Sequence, residues 1–260
     1  MKYKMRKEVI DASDFAKDLK EKHSSIYYVA YIDILGTKKI VGNDKNDEYL
    51  NNLNNIVHNA LHDLDTFEKS FKNQLFIKIF SDNILFAIKI DENEQDESGK
   101  VLTLLHLAGH LQTRILRKGY FARGAITKGE FFIDEKGLFV HGKALVNAVT
   151  LEEDNAIYPR IILHPDIKYR HEPLTLKDND GFYYVNNYHF TEPAILIIAK
   201  PILLSKLNEA KDNLKIRQKI LWYISYHNEH AKYVSSKDHP IFKEHAEDII
   251  TEEEIADALK

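Results

Sequence analysis

A chain of 260 residues with 44% apolar and 29% charged side chains has the make-up of a folded globular protein, long enough to bury about 75% of its unfolded surface in one sizeable domain. The lack of cysteine excludes disulfides and thiolate metal sites, and no stretch of 18 apolar residues or leader-like pattern is present, so a cytosolic, membrane-free protein is expected. A net charge of −4, with acidic stretches such as DENEQDES and EHAEDIITEEEIAD, leaves no electrostatic footprint for nucleic acid.

Residues 1–25 are expected to form an N-terminal helical extension. Residues 26–34 read as a buried strand that runs into Asp33 and breaks at Gly36 and Thr37. A helix follows over 46–71, with Leu50, Leu53, Ile56, Val57, Leu61 and Leu64 at helical spacing. Strands at 74–80 and 83–90 flank SDN, whose residues favour a tight hairpin. A helix over 101–118 and a strand over 120–127 complete the order β-α-β-β-α-β. That order predicts an α+β, ferredoxin-like core over 26–190, with a C-terminal helical appendage over 191–260. In the appendage, Ile216, Ile220, Leu221, Trp222 and Ile224 make one helical stripe, and Thr251 is placed to cap a short terminal helix.

A right-handed crossover makes strands one and two parallel, with strand three antiparallel between them. Asp33 and Asp82 then converge at one sheet edge. A buried aspartate costs several kcal/mol by desolvation unless a cation meets it. Two hard carboxylates beside a Gly36–Thr37 turn suit Mg²⁺ or Mn²⁺ carrying a phosphorylated substrate. The other reading is structural: Asp33 as a cap, Asp82 as an ordinary turn residue.

The stretches YIDILGT, IKIFSDNILFAI, YFARGAITKGEFF and HGKALVNAVTLEEDNAIYPRIIL resemble, in order, the motif set of the class III nucleotidyl cyclases: F-x-D-I-x-G-F-T, K-x-x-G-D, R-x-G-I-x-x-G and G-x-x-V-N-x-A-x-R-L. Within that superfamily the likeness is to the Pycsar antiphage cyclases. The resemblance implies a homodimeric enzyme that converts UTP or CTP to the 3′,5′-cyclic monophosphate and pyrophosphate, its product acting on a separate cyclic-nucleotide-binding effector. It implies two Mn²⁺ or Mg²⁺ ions per site, held by Asp33, Asp82 and the Ile34 carbonyl, and it places Gly36 and Thr37 at the phosphates. Lys78 falls at the base-selecting lysine, but Phe139 stands where adenine recognition needs an aspartate, which favours a pyrimidine. Aligned on Gly142, the family's asparagine falls at Val146, beside Asn147, and its transition-state arginine falls at Thr150.

Asn147 and Thr150 therefore remain catalytic candidates. Arg123 and Arg160, both on expected strands, are candidate replacements for the arginine; a structural ion pair with TLEED is the other reading of each. A catalytically silent nucleotide-binding module and an unrelated two-metal nuclease or phosphotransferase are the competing classes. The pairs His58/His62 and His106/His110 have zinc-compatible i, i+4 spacing, but they lack a metalloprotease glutamate and read as helix-face histidines.

Overall fold

The computed structural model describes residues 24–37, 47–67, 74–91, 97–134, 137–169, 172–191, 194–235 and 246–260. The expected N-terminal helix thus lies outside the described residues except for positions 24 and 25. Strands β1 (Ser25–Leu35), β2 (Leu75–Phe80), β3 (Asn83–Lys89) and β4 (Phe121–Ile133) alternate with helices α1 (Glu48–Phe67) and α2 (Ser98–Arg117) in the expected order. The sheet continues through β6 (Ile161–Leu163), β8 (Tyr183–Val185) and β7 (Thr175–Lys177), while β5 (Val140–His141) pairs with the far end of β4.

The strand order β2-β3-β1-β4-β6-β8-β7 contains the ferredoxin-like arrangement, with β3 antiparallel to both β1 and β2. The α+β class and the placing of the hairpin beside the end of β1 therefore hold. Among the described residues the one parallel pairing is that of β4 with β6, joined through β5 and α3 (Lys143–Asn155). Alternation along β1 divides the core. Tyr28, Ala30, Ile32 and Ile34 face α1 and α2, whereas Val29 packs with Leu85, Ala87, Phe131 and the α3 residues Ala144 and Ala148. Asp33 has the same parity as Val29 and so stands on the α3 face.

Helix α3 lies on the motif GKALVNAVTLEED, for which the sequence reading had no element. Its entry fixes one glycine: Gly142 has φ 146°, and a Cβ there would stand 2.4 Å from the Glu130 carbonyl oxygen.

Helices α4 (Ile195–Glu209) and α5 (Leu214–Val234) do not stand apart from the sheet. Leu196, Leu203, Ile220 and Ile224 share a core with Leu116 of α2, Ala125 of β4, Ile162 of β6 and Tyr184 of β8. Burial at this scale contributes roughly 1.5–3 kcal/mol per large side chain. Two positions placed on apolar stripes are instead exposed: Leu50 in α1 and Ile216 in the first turn of α5. The aromatic stretch GFYYVNNYHF has strand composition, yet it turns after Val185 into a 3₁₀ turn, Asn187–Phe190, where the Tyr188 N–H bonds the Tyr226 hydroxyl rather than a neighbouring strand. Thr251 caps α6 (Glu252–Ala258) in a reciprocal box with Glu254. No helix of the described residues is long and apolar enough to cross a membrane.

The β2–β3 hairpin turns on two residues, since Phe80 pairs with Asn83. Ser81 carries φ 58°, a left-handed conformation that the K-x-x-G-D form meets with glycine. Ser81→Gly is expected to raise stability by about 0.5–1 kcal/mol, the relieved strain exceeding the extra entropy of the unfolded chain. The urea midpoint of the purified variant measures this; an unchanged or lower midpoint would show that the turn carries no such strain.

Candidate active site at the Asp33 edge

Asp33 lies two residues before the end of the central strand, between two partners in register, Asn83 of β3 and Arg123 of β4. The Ile34 N–H donates to the Asp82 carbonyl oxygen at 3.1 Å, so the peptide of Ile34 faces the hairpin and ties the two acidic positions together. Gly36 then turns the chain with φ 84°, and the buried Thr37 hydroxyl donates to the Asp82 carboxylate. Asn83 Nδ2 lies 3.4 Å from the other Asp82 oxygen, and the Tyr31 hydroxyl donates to Asn83 Oδ1 at 2.5 Å. The sequence thus builds a polar edge from β1, its turn and one hairpin.

Charge is concentrated there. Burial, then the Asp82 charge, pushes the Asp33 carboxyl above its usual range, while Arg123 pulls it back. Arg123 Nε is 3.6 Å from Asp33 and 2.5 Å from Glu152, which is nearly inaccessible at the end of α3. Burial pushes Glu152 up to about 7, against the pull of Arg123. Burial also raises the Tyr31 hydroxyl to about 12, helped by Glu152, Asp33 and Asp82. From α5, Lys219 acts on the same cluster: Asp33 and Glu152 favour its charge, while burial and Arg123 oppose it.

The other expected residues divide clearly. The ion pair expected between Arg123 and TLEED is present at Glu152. Arg160 is not on a strand but directly before β6, and its partners are Asp178 and Asp180 rather than TLEED. It is 1% exposed and bracketed by the Tyr158 and Trp222 rings at 5.6 and 5.8 Å, so it cannot reach a substrate at the Asp33 edge without dismantling that cluster. Lys78 bonds the backbone carbonyls of Gly137 (3.2 Å) and Leu138, which holds the loop carrying Phe139 against β2. Asn147 and Thr150 lie on the exposed stripe of α3 with Val146, outside the Asp33–Arg123–Glu152 cluster.

Of the histidines, His58 and His62 are exposed on α1. His106 and His110 stack beside Phe190, and burial lowers His106 to about 4. Glu152 and Lys219 are the two site residues that periodicity did not single out. Glu152 was legible only as part of an acidic run, and Lys219 sits in a helix with no motif around it.

The donor set fits a hard divalent cation: two carboxylates at one sheet edge, that of Asp33 raised first by burial and then by the Asp82 charge, beside the Ile34 peptide. Among the described residues no group of three or more His, Cys, Asp or Glu side chains forms a complete cage, so further oxygen ligands would have to come from substrate or water.

No family model matches the sequence, and no curated protein matches it. Among solved structures, the chain is similar to a bacterial light-regulated adenylyl cyclase, at 12% identity and a TM-score of 0.42. The match covers 78% of this chain and 59% of the other, so this chain spans less than two thirds of that protein.

Proposed function

We propose that the protein is a nucleotidyl cyclase acting on a pyrimidine nucleoside triphosphate, UTP or CTP, to form the 3′,5′-cyclic monophosphate and pyrophosphate. The observation that carries this reading is the convergence of Asp33 and Asp82 at the end of β1, where the sequence motifs of such enzymes also lie. Asp33, Asp82 and the Ile34 carbonyl would hold Mg²⁺ or Mn²⁺. Bound there, the ions supply charge for activating the ribose 3′-hydroxyl and for neutralising the departing pyrophosphate.

The chain's own residues do the positioning. Thr37 fixes the Asp82 carboxylate, and Arg123 fixes Asp33 while Glu152 holds Arg123 from behind. Gly36 leaves space for a phosphate, since nothing among the described residues stands within 4 Å of where its Cβ would be. Lys78, committed to the Gly137 and Leu138 carbonyls, would read the base only by exchanging one of these bonds for a base oxygen. By the same resemblance, the product would serve a separate effector in antiphage defence.

A second reading, a silent nucleotide-binding module, has one observation in its favour. Arg123 already answers the Asp33 charge, so the edge is electrically tolerable with no metal. Incubation with the four nucleoside triphosphates and Mn²⁺, with products identified by mass spectrometry, separates the two. Cyclic UMP or cyclic CMP is expected. Cyclic AMP or cyclic GMP alone overturns the pyrimidine assignment, linear dinucleotides overturn cyclisation, and binding without turnover favours the silent module.

The active unit is proposed to be a homodimer with composite sites. Phe80, Leu138, Phe139 and Val146 are each exposed by 41% or more, and the Lys78 bonds bring β2 and the 137–139 loop together. Asn147 and Thr150, exposed on α3 beside Val146, would act on the partner's Asp33 edge. Mixing Asp33→Ala chains with Asn147→Ala chains, each inactive alone, is expected to restore part of the activity, because exchanged pairs contain one intact site. Confirmed exchange with no recovery means that each site is built from one chain.

A further inference from the structure

Helix α5 brings a cation to the Asp33 edge from outside every motif. Its Tyr223 ring packs on Phe121 with centroids 5.5 Å apart, two residues before Arg123 on β4. Trp222 stacks on Tyr158 at 5.5 Å, just beyond the end of α3. Lys219 lies about one helical turn before these rings, on the side of the helix that meets the start of β4 and the end of α3. It is half-buried, and its charge is felt by both Asp33 and Glu152.

Among the described residues its ammonium nonetheless makes no hydrogen bond and no ion pair, whereas Arg123 is already shared between Asp33 and Glu152. An ammonium that lies near two carboxylates yet is hydrogen-bonded to neither keeps its three donors for an arriving anion. The substrate of the proposed reaction carries one: a triphosphate that must lie beside Asp33 if the metals do.

We propose that Lys219 is a phosphate-binding residue, contacting the triphosphate of the nucleotide from α5 and supplying positive charge that Thr150 does not supply from α3. The proposal rests on the nucleotide reading above and adds the C-terminal helix to the substrate site. It also explains why α5 must be packed firmly on the sheet: a misplacement of even 1 Å would carry the ammonium away from the phosphates.

The test uses the full chain with Mg²⁺ and nucleotides that cannot cyclise, 3′-deoxy-UTP and 3′-deoxy-CTP, against the matching 3′-deoxy monophosphates, by calorimetry. Lys219→Gln is expected to weaken triphosphate binding by roughly tenfold or more while leaving monophosphate binding within about twofold, and Lys219→Arg to recover most of the loss. Lys219→Met, which keeps the apolar stem, controls for packing, with the emission of Trp222 reporting the fold. Unchanged triphosphate affinity in Lys219→Gln, or equal losses for mono- and triphosphates, overturns the assignment while the cyclase reading stands. If the unaltered chain binds neither triphosphate, both fall together.

Discussion

On the proposed cyclase reading, Asp33→Ala and Asp82→Ala are each expected to lower cyclic nucleotide formation by about a thousandfold or more, since each would remove a charged metal ligand that no neighbour can replace. Arg123, 3.6 Å from Asp33, has the wrong sign, and Glu152 is buried behind it. The stability of the two variants should differ. Burial and Asp82 already disfavour the Asp33 charge, so Asp33→Ala is expected to leave the unfolding free energy within about 1 kcal/mol of the original. Asp82→Ala strips the acceptor from the buried Thr37 hydroxyl and should cost about 1 kcal/mol or more. Turnover and urea unfolding measured together decide the matter. Full activity in both variants, with the stability loss confined to Asp82→Ala, would make these acids turn and cap residues only.

Arg160→Met is expected to cost about 1.5–3 kcal/mol, because it leaves the partly buried Asp178 and the exposed Asp180 facing each other without the guanidinium that bonds them both. Burying a guanidinium is not in itself stabilising; removing one member of a satisfied cluster is what costs. Arg160 bonds both carboxylates, and the Trp222 indole N–H donates to Asp178 at 3.0 Å. Since Trp222 is the sole tryptophan, its emission reports this cluster directly. Asp178→Asn combined with Asp180→Asn in the Arg160→Met background should return a substantial part of the loss, as the residual charges are gone. A loss below about 1 kcal/mol for Arg160→Met would mean that water already screens the cluster.

Much of the core could be read from the order of periodic segments. The alternation YVAYIDI and the SDN turn place Asp33 and Asp82 at one edge, because strand periodicity and turn chemistry are local properties. Helix α3 escaped because its buried positions, Ala144, Ala148 and Leu151, are mostly small and make a weak apolar stripe, while Val146 breaks the pattern by facing out. Arg160 misled for a different reason. The acids that hold it come from KDNDG, 18 and 20 residues on, and an ion pair across a sheet edge leaves no spacing signal. Lys219 was invisible in the same way. Its meaning depends on where the rings of α5 land on β4, and only the folded chain specifies that.

The apolar surface shared by α4, α5 and the strands β4, β6 and β8 bears on how this chain can be rearranged. The ferredoxin-like motif ends well before residue 190, yet Ala125, Ile162 and Tyr184 bury their outer faces under helices encoded after it. The segment that reads as a C-terminal helical appendage is therefore a wall of the same room. Recombination at that seam would expose Ala125, Ile162 and Tyr184 to water and remove the Lys219 charge from the acidic edge in one step. Exchange of parts between related chains should accordingly be poorly tolerated between β8 and α4, since both lie on one continuous interior.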